Sequence, residues 1–203
     1  AEFSGSLLVR GKPLITEAQF GIVFGTGDET ITGVGLIGGG ETNFNFTDGV
    51  DGKPTLVLTS KNGGRMLSGL DITDTVRGGD VQLQTIFDSD DYKNYDTSID
   101  ITDFAVVEAP RAIKALSVLS LAGLYALVEG DGTAFKIGHA ELETRGPVVN
   151  IKALKASGDA VAVSMVGVYD RASKQVDVSG NLVPVSQIST IVGRLPVLGN
   201  VLT

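Results

Sequence analysis

The chain has 203 residues, with no Cys, no Trp, one His, 27 Gly and 42% hydrophobic residues. That is enough apolar material to bury a core in a single domain spanning 1–203, and it excludes a disordered tail. It also excludes a disulfide framework, a thiolate metal site, a cysteine nucleophile and a multi-histidine metal centre. The net charge of −8 argues against nucleic acid, whose phosphates need a basic surface. The charge is uneven: residues 1–108 hold 7 Lys/Arg and 17 Asp/Glu, whereas residues 109–203 hold 9 and 7.

The chain opens on Ala1-Glu2-Phe3, without Met or a signal peptide, and closes in the apolar run Asn200–Thr203. The expectation is an excised piece of a longer chain. Gly33-Val34-Gly35-Leu36-Ile37-Gly38 matches G-x-G-x-x-G. A dinucleotide site needs a helix after it, and Gly39-Gly40-Glu41-Thr42 starts one poorly. These glycines are therefore expected in turns and bulges.

Phe44 and Phe46, then Asp48-Gly49 and Asp51-Gly52, then Leu56 to Leu58 read as two strands around a turn. Met66 to Leu70 breaks the β pattern as a first short apolar helix. Val81 and Leu83 alternate with Gln82 and Gln84, and Ile99 and Ile101 with Asp100 and Thr102. Such period-2 alternation marks sheet with one apolar and one wet face. Between these runs, Asp88 to Asp96 has the carboxylates of a calcium loop but lacks the glycine and the closing Glu, so it reads as a solvated hairpin tip.

Pro110 to Val128 carries Ile113, Leu116, Leu119 and Leu124 at helical spacing, almost without charge. It is expected as a second apolar helix. Two roles fit it: a cap on a sheet edge, or a lipid-facing end. His139 lies alone in the strand Phe135–Leu142 and has no base–orienter set in the sequence. Val161, Val163 and Met165 alternate with Ala162 and Ser164, and Val176, Val178 and Leu182 follow in the same manner. Val185 to Leu202, interrupted by Pro196, is a third apolar segment. Helix, Gly-rich turn and meander recur from Arg65 and again from Lys114, a loose internal repeat.

Three stretches are similar to the C-terminal domain of the AsmA-like family of bacterial envelope proteins. They are Asp103-Phe104 through Pro110 to Leu119-Ser120-Leu121-Ala122-Gly123-Leu124; Gly130-Asp131-Gly132 with Phe135; and Gly180-Asn181-Leu182-Val183-Pro184 through Leu195-Pro196-Val197-Leu198-Gly199. The resemblance covers about Leu70 to Thr203. Ser186 and Ser189 depart from the pattern, and the family's further strand and tail are missing.

The resemblance implies a curved antiparallel β-meander that forms a groove, with two or three short apolar helices. It implies a periplasmic, non-enzymatic role, tethered to the inner membrane by a segment outside this chain, in phospholipid transport or envelope homeostasis. Phospholipid or another acyl-chain ligand is the expected partner, with envelope proteins as further partners; no cofactor or metal is expected. Candidate groove-lining residues are the apolar alternates Val81, Leu83, Ile99, Ile101, Val161, Val163 and Met165. The same residues fit an ordinary core, and a β-rich interaction module without lipid is the competing function.

Overall fold

In the computed structural model, residues 2–9, 12–24, 29–49, 52–88, 91–107 and 132–184 are described. They form one antiparallel sheet of eleven strands in chain order. The strands are β1 (Glu2–Val9), β2 (Lys12–Phe24), β3 (Glu29–Ile37), β4 (Gly40–Asp48), β5 (Pro54–Ser60) and β6 (Val76–Asp88). The remaining five are β7 (Asp91–Val106), β8 (Thr133–Arg145), β9 (Val148–Ser157), β10 (Val161–Asp170) and β11 (Gln175–Pro184). Every strand pairs with its sequence neighbour, so the expected meander is present.

One helix, α1 (Gly63–Gly69), interrupts the meander between β5 and β6. This is the first of the two or three expected helices. The second, with Ile113, Leu116, Leu119 and Leu124, and the third, from Val185, lie outside the described residues. At seven residues α1 is too short to stand alone and depends on packing. Asn62 caps it by accepting from the Arg65 N–H at 3.3 Å. Met66 and Leu67 bury fully into the sheet, worth about 2–3 kcal/mol each. Gly63 makes the approach possible: a Cβ there would stand 3.0 Å from both Val81 Cβ and Ile101 Cδ1.

Register turns the alternation of single strands into continuous rows. Phe20 pairs with Gly33, Gly33 with Phe44, and Phe44 with Leu58. Leu58 pairs with Leu83, Leu83 with Ile99, and Ile99 with Ala140. Ala140 pairs with Leu154, Leu154 with Met165, and Met165 with Gly180. This apolar row crosses every strand from β2 to β11, roughly 40 Å at the usual inter-strand spacing. A second row runs beside it through Val81, Ile101, Gly138, Ala156, Val163 and Leu182.

One residue away, on the opposite face, the partners are polar. Asn43 pairs with Thr59, Thr59 with Gln82, Gln82 with Asp100, and Asp100 with His139. His139 then pairs with Lys155, and Lys155 with Ser164. The sheet is thus apolar on one face and wet on the other.

Two bulges keep large side chains on the apolar face. Glu17 and Asp103 take left-handed backbone angles, φ 51° and 53°. Each lets the flanking residues, Ile15 with Ala18 and Ile101 with Phe104, bury on the same side. Phe104 then stacks on Phe135 of β8 with ring centroids 5.3 Å apart and planes 17° apart. The Phe104 ring lies above Gly138, where a Cβ would meet Phe104 Cζ at 2.9 Å.

Candidate functional site: the apolar face and its two lips

The seven candidate groove residues all belong to the apolar face, but they divide by depth. Val81, Leu83, Ile99, Ile101 and Val161 are more than nine-tenths buried and belong to the common core. Val81 and Ile101 lie under α1. Val163 and Met165 in β10 are half-buried, as are Ile151 and Leu154 in β9 and Leu182 in β11. The floor here is lined by small residues, with Ala156, Gly167 and Gly180 set among the larger ones. Apolar surface is therefore closed at β4–β8 and more open at β9–β11.

The hydroxyls on this face are internally satisfied. Thr85 and Thr97 bond each other at 3.0 Å, Thr42 Oγ1 donates to the Gly40 carbonyl, and Ser60 Oγ to that of Glu41. Among the described residues, every buried side-chain polar atom has a partner. A hydroxyl bonded in this manner adds little polarity to the surface it lines.

The two ends of the strands form different lips. One carries α1 and the Phe104–Phe135 stack. The other carries the end of β6, the start of β7 and the β8–β9 and β10–β11 turns, and it is aromatic. Phe87 lies 5.5 Å from Tyr92 and 5.6 Å from Tyr95, centroid to centroid. Register carries the row on from Tyr95 through Thr144 and Val149 to Tyr169 and Val176. Sequence reading missed this lip, because only register places Tyr95 and Tyr169 in one row.

The polar face holds the lone His. His139 Nδ1 stands 2.7 Å from Asp100 Oδ1, and Nε2 stands 3.3 Å from Glu141 Oε1. As an imidazolium it donates to both, so neither nitrogen offers a lone pair to a substrate in this arrangement. The Asp100 hydrogen bond, opposed by partial desolvation and helped by Glu141, raises its pKa above the ordinary 6.5. Lys155 across β9 is the cation facing the same row.

The linkage has a definite sign. A raised folded pKa gives stability that is complete below the unfolded value near 6.5 and is lost as pH rises through the folded value. The effect is modest, because the His139 side chain is 38% exposed and solvent screens the pair. Proton NMR of the single imidazole should therefore titrate above 6.5, and Asp100→Asn should bring it back down. A midpoint at or below 6.5 would remove the ion pair.

The remaining polar-face charges mostly pair. Glu143 accepts from Lys152, Arg145 and Asn150, and the Lys152 hydrogen bond holds its carboxyl below the usual range. Arg145 also bonds Asp96 at 3.0 Å, and Lys61 pairs with Asp80. Among the described residues, no cluster of three or more His, Asp or Glu side chains could hold a metal ion. No described helix is long and apolar enough to cross a membrane. No protein-family model, curated protein or solved structure matches this chain.

Proposed function

We propose that the chain is a non-enzymatic β-groove segment that shields the acyl chains of phospholipid, as part of a longer envelope protein acting in the periplasm. The observation that carries this reading is the apolar row crossing ten strands, backed one residue away by a polar row. A surface of that kind needs no acid–base chemistry. It exchanges water for methylene contacts along its whole length, at about 0.8 kcal/mol per CH₂. The similarity of Leu70 to Thr203 to the AsmA-like family supports the periplasmic setting and the inner-membrane tether outside this chain.

Site-specific photo-crosslinking in cells tests the reading. A benzoyl-phenylalanine at Val163 or Met165 is expected to capture phospholipid, and one at Ser164, on the polar face, is not. Leu83 should capture little, because it is 4% exposed. Equal labelling at Ser164 and its two neighbours, or none at any of them, would sink the proposal.

One observation favours the competing reading, a structural or protein-binding module. Val81, Leu83, Ile99 and Ile101 share one core with Met66 and Leu67, as in a sheet that serves packing alone. In addition, β1 and β11 each have a single described neighbour, leaving edges for strand addition. Protein adducts in place of lipid at Val163 would favour that function.

A further inference from the structure

The geometry points to Arg171, beside Tyr95 on the aromatic lip, as the site that takes the phosphate ester of a phospholipid whose chains lie on β9–β11. The inference rests on the groove reading above and adds the orientation and chemistry of the ligand. Its first support is placement. Arg171 opens the β10–β11 turn, and its Nη1 donates to the Tyr95 hydroxyl at 3.1 Å, across 76 residues of sequence. Tyr95 belongs to the apolar face, paired with the buried Thr144. The guanidinium is therefore held at the margin of the apolar face, at the strand end from which β10 runs back through Gly167, opposite Ile151, to Met165, opposite Leu154.

The second support is the absence of competition. Among the described residues, Arg171 has no carboxylate partner, and its other N–H donors remain available. The nearby carboxylates are engaged elsewhere. Asp96 and Glu143 bind Arg145 and Lys152 on the polar face. Asp170 accepts the Ala172 and Ser173 N–H groups, which hold its pKa low.

The third support is the lip itself. Three of the chain's four tyrosines, Tyr92, Tyr95 and Tyr169, gather here, and Tyr92 is 58% exposed. Tyrosine has an apolar body and a polar tip, which suits the boundary between acyl chains and headgroups. The opposite lip, with α1 and two stacked phenylalanines, carries Arg65 and Arg77, whose guanidinium groups bond backbone carbonyls rather than a tyrosine.

The turns at this end are also tied together. Arg171 N–H donates to the Pro147 carbonyl at 3.0 Å, and Gly146 N–H to Asn94 Oδ1 at 3.1 Å. The first residues of β7, the β8–β9 turn and the β10–β11 turn are thus joined into one rim. The electrostatics agree: residues 132–184 carry six Lys/Arg and five Asp/Glu, against the acidic first half. An anionic lipid is repelled least at β8–β11, where the apolar face is also most open.

The test compares two fluorescent lipids with identical acyl chains, phosphatidylglycerol and diacylglycerol, with inorganic phosphate as a third probe. For Arg171→Gln, phosphatidylglycerol binding should fall about tenfold, the scale of one charge-assisted hydrogen bond. Diacylglycerol binding should stay within about twofold, because the apolar contacts are intact. Arg171→Lys should recover part of the loss, and an unchanged melting temperature confirms the fold of each variant. Equal losses for the two lipids, no loss for either, or inorganic phosphate binding as tightly as the lipid would each overturn the Arg171 site. If the unaltered protein binds neither lipid, the groove reading itself fails, and the site with it.

Discussion

Leu83→Asp is expected to abolish folding at neutral pH, while Gln82→Asp, one residue away on the polar face and opposite Asp100, costs no more than about 1 kcal/mol. Leu83 is 4% exposed and stands between Leu58 and Ile99 in the long apolar row. Truncating a buried Leu to Ala costs about 2–5 kcal/mol. A carboxylate placed there has no cation within the row, and an unpaired buried charge costs several kcal/mol more. The total is comparable with the whole stability of a domain, about 5–15 kcal/mol.

The charge contribution can be isolated by pH. Burial raises the folded pKa of the new carboxyl above its unfolded value. The penalty is then absent below the unfolded value, near 3.9, and grows as pH rises toward the folded one. Urea titrations should show part of the Leu83→Asp loss recovered near pH 4. Leu83→Asn, which cannot ionise, should show no such recovery. A Leu83→Asp protein as stable at pH 7 as Gln82→Asp would overturn the face assignment of β6 and the row it belongs to.

The faces that this pair of substitutions separates were legible in the sequence. Val81 and Leu83, Ile99 and Ile101, and Val161 and Val163 alternate with polar or small residues, and each pair turns to the apolar side as the period requires. The turn dipeptides at Asp48-Gly49 and Ser157-Gly158 also mark real strand ends. The bulges were not legible. Strict alternation after Ile99 and Ile101 would bury Asp103 and expose Phe104. The left-handed angle at Asp103 reverses this; Asp is enriched at such angles, but most of the chain's Asp residues do not adopt one, so residue type alone does not place the bulge.

Register was the larger gap. Which side chain faces which across β2 to β11 depends on the long-range pairing of every hairpin. Neither the continuous row nor the Tyr95–Arg171 lip can be written down from one strand at a time. His139 illustrates the same limit. The sequence shows a lone imidazole in a strand, while the fold places Asp100, 39 residues earlier, directly opposite it.

Gly33→Val is expected to be the second most damaging change, and it tests a use of glycine beyond turns and bulges. Gly33 and Gly35 belong to the G-x-G-x-x-G match, yet only Gly38 and Gly39 form the β3–β4 turn, at φ 59° and 75°. Gly33 lies within β3 as a floor beneath two rings. Phe20 and Phe44, its neighbours on either side, have ring centroids 6.4 Å apart. A Cβ at Gly33 would overlap the Gln19 carbonyl oxygen and come within 2.6 Å of both Phe20 Cβ and Phe44 Cζ. Two of these three atoms are fixed by the backbone, so the strand itself must move.

Overpacking of this kind costs about 1–3 kcal/mol for one added carbon, and a branched side chain should exceed that. Gly146→Val supplies the contrast. Its φ is 57° but nothing lies within 4 Å, so its cost is left-handed strain alone. Phe44→Leu in the Gly33→Ala background should return part of the loss, because it withdraws the one atom at the far end of a side chain. A coupling of at least about 0.5 kcal/mol in that double-mutant cycle, read from urea midpoints, is expected for groups in direct contact. Strict additivity would mean that the rings do not meet above Gly33, and the apolar row would then be broken at β3.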